Sequence, residues 1–396
     1  MGCGTGLITS TMTLSQYADA NSDCVNFSNN TYTFTRGITT LNAGITLTME
    51  ENDQLVIEKD ATFNLDGTLN CDTRINGGMS PGGLIPINRL TIKGTLNQSS
   101  GSELNISLPD AIDVFSGVLP GDGINHISIE DGGKLETDGN ITIGQAGVSA
   151  FYSATGINIS TGTLIQTAKS EININGGLFF GSEAFNINNN STVETHGIID
   201  ISKVSNTSSG ISLDGESSFN LNNGTTTQAA SFNINNINTF GTGISLKGNS
   251  SFTFNAVAKI SNLSLNQSAL EFPSLHRLSG GLYIESGNVI VNDNSNGDAN
   301  LVIENLNLKN SLLSDDDPQF GIKIVDGSFE VNPGGKVLIN NIKDTIGFDA
   351  RNTNGTITNE GTITGNTSDG NGICYLPPTS DTTIWGGNGT YTGSCT

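Results

Sequence analysis

The sequence predicts an all-β chain wound into a single elongated right-handed parallel β-helix, a β-solenoid, with disulfide-stapled end caps. Three observations predict it. A strand–turn–strand phrase recurs along the chain, apolar and polar residues alternate with period two over long stretches, and two cysteines lie near each end at the same separation. The handedness follows from the crossover rule for parallel strands.

The phrase is clearest where Gly210-Ile211-Ser212-Leu213-Asp214-Gly215-Glu216-Ser217-Ser218-Phe219-Asn220-Leu221-Asn222 is matched by Gly243-Ile244-Ser245-Leu246-Lys247-Gly248-Asn249-Ser250-Ser251-Phe252-Thr253-Phe254-Asn255. Looser copies open at Gly177, Gly281 and Gly321, and weaker ones at Gly156 and Gly347. Ile211 and Leu213 alternate with Ser212, which is strand periodicity. Asp214-Gly215 makes a turn, because glycine accepts positive φ. Phe219 and Leu221 alternate again, and Asn222 closes the unit with a residue tolerant of the left-handed region. One such unit cannot bury its inward face, so units must stack, placing Phe over Phe and Asn over Asn. At about 4.8 Å per coil, 12–15 coils give a rod of about 60–70 Å.

The elements follow in order. Residues 1–30 are expected to form an N-terminal cap, with one short helix over Thr13 to Ala20. Residues 31–365 form the β-helix, and residues 366–396 a C-terminal disulfide cap in which Pro377-Pro378 halts strand growth. Cys3–Cys24 and Cys374–Cys395 are read as staples, each closing a loop of about 20 residues and stabilising by roughly 3 kcal/mol in the chain-entropy model. Cys71 is left as a buried thiol, an alternative partner of Cys24, or an intermolecular link. Candidate loops cover Met79 to Gly83, Glu271 to Arg277 and Ser314 to Pro318.

Composition narrows the partners. The 396 residues carry 16 Lys plus Arg against 38 Asp plus Glu, a net charge of −22. Such a chain lacks the cationic surface that nucleic acid or anionic lipid needs. No apolar run is long enough for a membrane span. Paired cysteines imply an oxidising compartment, so the expected location is extracellular. Met1-Gly2-Cys3-Gly4 precedes no basic patch or apolar run, as expected of a mature form, and Gly6 sits where an acylation motif wants Ser or Thr.

Phe-x-x-Asn occurs at Phe27/Asn30, Phe185/Asn188, Phe219/Asn222, Phe232/Asn235, Phe252/Asn255 and Phe329/Asn332, and Gly241-Thr242-Gly243-Ile244 follows one copy. The pattern resembles the β-helical passenger domains of bacterial autotransporters, in particular the chlamydial polymorphic outer-membrane proteins with their FxxN and GGA motifs. Gly-Gly-Ala is absent here; Gly176-Gly177-Leu178 and Gly280-Gly281-Leu282 come nearest. The resemblance spans Asn173 to Asn341 and implies a right-handed β-helix displayed at a bacterial cell surface, for adhesion to a protein or glycan on a host or neighbouring cell.

Enzymatic β-helices place carboxylates, a base or calcium on parallel strands. The polygalacturonase-type phrases Asn-Thr-Asp, Gly-His-Gly and Arg-Ile-Lys are absent, and the sole acidic run, Asp315-Asp316-Asp317, sits beside Pro318. His126, His196 and His276 are isolated and read as surface or loop residues. No cofactor is expected beyond possible calcium, for which Asn292, Asn294, Asn296 and Asp298 present side-chain oxygens at alternate positions. The first ligand position lacks Asp, and Ile303 stands where a bidentate acid belongs, so a polar turn is the plainer reading. Sequons such as Asn105, Asn158, Asn249 and Asn388 match the Asn, Ser and Thr content. Three functions compete: an adhesin-type binding module; a subunit that stacks end to end into a homopolymer, favoured by an uncapped strand at Thr31 to Thr35; and a polysaccharide lyase or hydrolase. Thr-x-Thr rows such as Thr356/Thr358 and Thr362/Thr364 allow surface binding as a fourth.

Overall fold

The computed structural model describes residues 5–50, 53–71, 88–107, 124–144, 151–152, 154–175, 178–179, 183–224, 230–265, 280–294, 298–306, 320–342, 346–350, 354–367, 374–375 and 385–392. The chain winds as a parallel β-helix with three walls. Successive strands of a coil belong to the first, second and third wall in turn, and each pairs with its counterpart one coil on. The third wall is a 13-stranded sheet from Met12–Thr13 to Thr390–Thr392. The other two walls join in one 27-stranded sheet. Thirteen rungs at strand spacing give a rod of about 60 Å, as the repeat predicted. Residues paired in parallel are offset by as few as 22 positions (Thr46 and Thr68) and as many as 43 (Ala258 and Leu301). Insertions enter between walls, so coils of unequal length keep the same inward set.

Stacking follows the phrase. Phe219 pairs with Phe252, Phe252 with Val289 and Val289 with Phe329, all in the second wall and all fully buried. The rings of Phe219 and Phe252 lie 4.4 Å apart and nearly parallel. Asn222, Asn255, Asn292 and Asn332 follow these strands as an amide ladder. Asn255 Nδ2 donates to Asn222 Oδ1 at 3.1 Å, Asn292 to Asn255 at 2.7 Å and Asn332 to Asn292 at 2.6 Å. These asparagines do not take the left-handed conformation expected of them. That role falls to another corner, after the third wall, where Lys203, Asn236, Asn262, Asn305 and Asn341 have φ of 50–55°.

One repeat assignment shifts. The copy at Gly177 is one strand out of phase, because its Phe185 pairs with Ile211 in the first wall. Phe27/Asn30 is no rung at all: Phe27 is exposed, and Asn29-Asn30 form a two-residue hairpin turn, both left-handed. Phe-x-x-Asn thus marks strand ends on any wall.

The phrase-opening glycines have a packing cause. Gly210, Gly243, Gly281 and Gly321 stack at the start of the first wall. A Cβ on Gly243 would lie 2.7 Å from Ile260 Cγ2 and 2.8 Å from the Gly281 carbonyl oxygen. Opposite them runs an isoleucine column in the third wall: Ile174, Ile201, Ile234, Ile260, Ile303 and Ile339. Branched side chains there crowd these four positions, where glycine stands, and the same column holds only a methyl at Ala184. Gly243→Ala is expected to cost about 1–3 kcal/mol through overpacking. Ile260→Ala in the same chain should recover part of that loss, as read by urea denaturation; strictly additive losses would reject the complementarity.

At the N-terminal end, β1 (Thr5–Ile8) and β2 (Met12–Thr13) open the second and third walls. Helix α1 (Leu14–Ala20) begins at Thr13, which forms a capping box with Gln16, and buries Leu14, Tyr17 and Ala18 against the end of the core. The chain returns through β3 (Val25–Ser28), antiparallel to the start of β4 (Thr31–Leu41). Every other described pairing is parallel. The strand at Thr31 to Thr35 is therefore not an uncapped edge: β3 covers one side and the strand from Gln54 the other.

The stapled caps are not seen among the described residues. Cys24 is disulfide-bonded, Cys3 and Cys395 lie outside the described residues, and the Cys374 side chain is not described. Cys71 is a free, buried thiol, and burial pushes its pKa up to about 12.

Candidate functional site

Exposed apolar side chains are concentrated at one end. Among the described residues, the large hydrophobics that reach solvent are Leu7 (59%), Phe27 (56%), Ile38 (43%) and Tyr391 (37%). The first three belong to β1, β3 and β4, the opening coils. No continuous apolar row runs along a described wall.

The chain builds this end as follows. The hairpin turn at Asn29-Asn30 sets Phe27 opposite Tyr32 on the same side of the ribbon. Their rings stack with centroids 4.5 Å apart at 28°. Tyr32 is buried beneath, and Phe27 stands outside it. Between this pair and α1 lies a cavity of about 470 Å³ lined by Ser15, Ala18, Asp19, Ser22, Val25, Asn26, Phe27 and Tyr32. Burial holds the Tyr32 phenol above its ordinary pKa; Asp53, Glu50 and Asp19 push the same way, against a hydrogen bond from Ser15. The cavity is therefore aromatic on one wall and electronegative.

A second cluster lies on the outward register of the first wall. Tyr283, Lys323 and Asp349 occupy one column in consecutive coils. Lys323 Nζ is 3.9 Å from the Asp349 carboxylate and 5.8 Å from the centre of the Phe320 ring. Tyr283 and Asp349 are buried, and burial followed by the Glu285 charge raises the Tyr283 pKa. These residues lie far apart in sequence, and only the coil register brings them together.

A third cluster is interior. His126 and Arg89 occupy adjacent positions in the column that later becomes the glycine stack. Arg89 is 2% exposed and donates from Nη1 to the Asp53 carbonyl oxygen at 3.3 Å. The Asp53 carboxylate accepts from the Glu50 backbone N–H at 2.8 Å. His126 is buried, which corrects its reading as a surface residue; burial and then the Arg89 charge hold its pKa down at about 3. Met49 and Cys71 precede the isoleucine column here, with Cys71 Sγ 3.2 Å from Met49 Sδ. Ile106 and Ile143 continue the isoleucine column in the coils of Arg89 and His126, so this inward column changes from large polar residues to glycine while the third wall keeps isoleucine.

The other predicted residues are dispersed. His196 is half-buried, its Nδ1 3.1 Å from the Asn223 carbonyl oxygen. His276, Asp315 to Asp317 and the three predicted loops lie outside the described residues. Asn292 uses both ends of its amide in the ladder. Asn294 is buried and donates to the Asp298 carbonyl oxygen, Asp298 is exposed, and Asn296 lies outside the described residues. Among the described residues, no group of three or more His, Cys, Asp or Glu is placed to hold a metal ion. Polar residues also enter the core where none was foreseen: Gln98 and Gln166 are buried and accept from Thr137 and Thr195, while their amides donate to the Asn140 and Ile198 carbonyl oxygens.

No family model matches the chain, and no curated protein matches it. Among solved structures, it is similar to the periplasmic alginate epimerase AlgG, with 10% identity over 91% of this chain and 84% of that one and a TM-score of 0.28. It is also similar to the Streptococcus pneumoniae surface protein and adhesin PfbA, with 11% identity over 91% of this chain and 86% of that one and a TM-score of 0.26. At these scores neither likeness assigns an activity.

Proposed function

We propose that this chain is an extracellular, non-enzymatic binding rod of the adhesin type that meets its partner with its N-terminal end. The partner is a protein or glycan on a host or neighbouring cell. The observation that carries the reading is the exposure of Leu7, Phe27 and Ile38 on the opening coils, at an end whose core is already closed by α1 and the β3–β4 hairpin. Exposed apolar side chains on an otherwise polar surface mark contact sites. Among the described residues no helix is long and apolar enough to cross a membrane. Disulfide-stapled caps belong to the same proposal. The segment from Asn292 to Asp298 fits a polar turn better than a calcium loop, since the Asn292 amide is already engaged on both sides.

The test is binding of labelled protein to cell-surface protein and glycan arrays. Replacing Leu7, Phe27 and Ile38 together (Leu7→Ser, Phe27→Ala, Ile38→Ser) is expected to weaken capture by at least about tenfold, as for truncated contact anchors. Unchanged capture by a triple variant that melts like the parent would overturn the reading. End-to-end assembly has one observation in its favour, Tyr391 exposed at the opposite end. A sedimentation series separates the two: uniform monomeric rods support the binding module, and concentration-dependent growth lost in the triple variant supports the homopolymer. Polysaccharide cleavage is the control; cleavage abolished by Lys323→Ala would move the function to the lateral column.

A further inference from the structure

We infer that the N-terminal cavity is a docking site for a basic side chain, arginine or lysine, presented by a partner protein between apolar neighbours. This rests on the reading of the N-terminal end as the contact surface and adds the chemistry of what it contacts.

The argument is one of charge and shape. No Lys, Arg or His precedes Arg36, whereas Asp19 and Asp23 fall within that stretch and the whole chain carries −22. Asp19 is exposed and lines the cavity directly. Asp53 and Glu50 act on Tyr32 from behind. One wall is the Phe27–Tyr32 stack, and an aromatic face attracts a cation held within about 6 Å. Ser15, Ser22 and Asn26 supply oxygens that can accept from a guanidinium or ammonium group. An anionic group would meet Asp19 with no basic side chain lining the cavity. A purely apolar group would leave the Asp19 carboxylate and the hydroxyls without a partner. Ala18 and Val25, which also line the cavity, offer apolar contact for residues flanking the cation.

The experiment is calorimetric titration of the full chain with three probes: a blocked tripeptide of arginine between two leucines, its glutamine counterpart, and tetramethylammonium chloride. The arginine peptide is expected to bind at least about tenfold more tightly than the glutamine peptide, a margin consistent with a partly desolvated cation–π contact and a charge-assisted hydrogen bond. The margin should shrink with added salt. D19N and F27A should each remove most of it, and both residues are exposed, so both variants should melt like the parent. Equal binding of the two peptides, or a preference that survives D19N, overturns the inference. Tetramethylammonium binding as tightly as the arginine peptide would also overturn it, in favour of a small free cation. If the triple variant abolishes capture on arrays while the peptides show no cation preference, the end is still the contact surface and only the basic side chain is wrong.

Discussion

Phe252→Ala is expected to destabilise the rod by about 3–5 kcal/mol, the range for removing a large aromatic from a core that cannot collapse around the gap. Phe252 is fully buried, stacked on Phe219 at 4.4 Å and on Phe254 at 4.3 Å, with Phe232 at 6.2 Å. The cavity would open where four rings meet in two consecutive coils. Stability in a solenoid is a sum of coil and nearest-neighbour terms, so the loss should be local. Hydrogen exchange should accelerate most between Ile211 and Val291 and least near the ends. Phe27→Ala, at an exposed ring of the same type, should change stability by no more than about 0.5 kcal/mol. Uniform loosening along the whole rod would reject the stacked-core account.

Acid is expected to weaken the N-terminal coils through His126. Its pKa lies at about 3 in the folded chain against an ordinary 6.5. Between those values the unfolded chain binds a proton that the folded chain refuses, so stability falls as pH drops from 6.5 towards 3. The full shift is worth at most about 4–5 kcal/mol. Asp53 acts in the opposite sense. Burial raises its pKa, so the folded chain holds that proton more tightly and recovers some stability at the low end. Arg89 stays charged, and the Cys71 thiol stays neutral, throughout this window. His126→Gln should flatten the acid limb of a plot of unfolding free energy against pH. The readout is the slope, which a uniform loss of stability would not imitate. An unchanged slope would remove His126 as the cause.

Much of the fold was legible because its code is local and repeated. Alternation of Ile211, Ser212 and Leu213 fixes which side chains turn inward whatever stacks above them. The capping box at Thr13 and Gln16 defines its helix within four residues. The repeat itself implied coil-on-coil stacking, and the Phe219–Phe252 and Asn222–Asn255 ladders follow from it. Register between walls was not legible. Insertions of unequal length hide which residues meet, so the Gly177 copy aligns one strand out of phase with its true partners.

The candidate sites were hidden for the same reason. Phe27 differs from Phe252 only in that Asn29-Asn30 reverse the chain after it, turning a core ring outward at the end of the rod. Tyr283, Lys323 and Asp349 share a column because coils of different length bring them into register, a relation with no sequence period. Arg89 and His126 are interior because the coil register sets them in the inward column that later carries glycine. The sequence by itself determined the all-β solenoid, its inward set and its acidic character, since each depends on neighbours within a few residues or on composition alone. Only the tertiary structure decided which apolar side chains reach solvent and which charges are buried, because both depend on contacts between coils 20–40 residues apart.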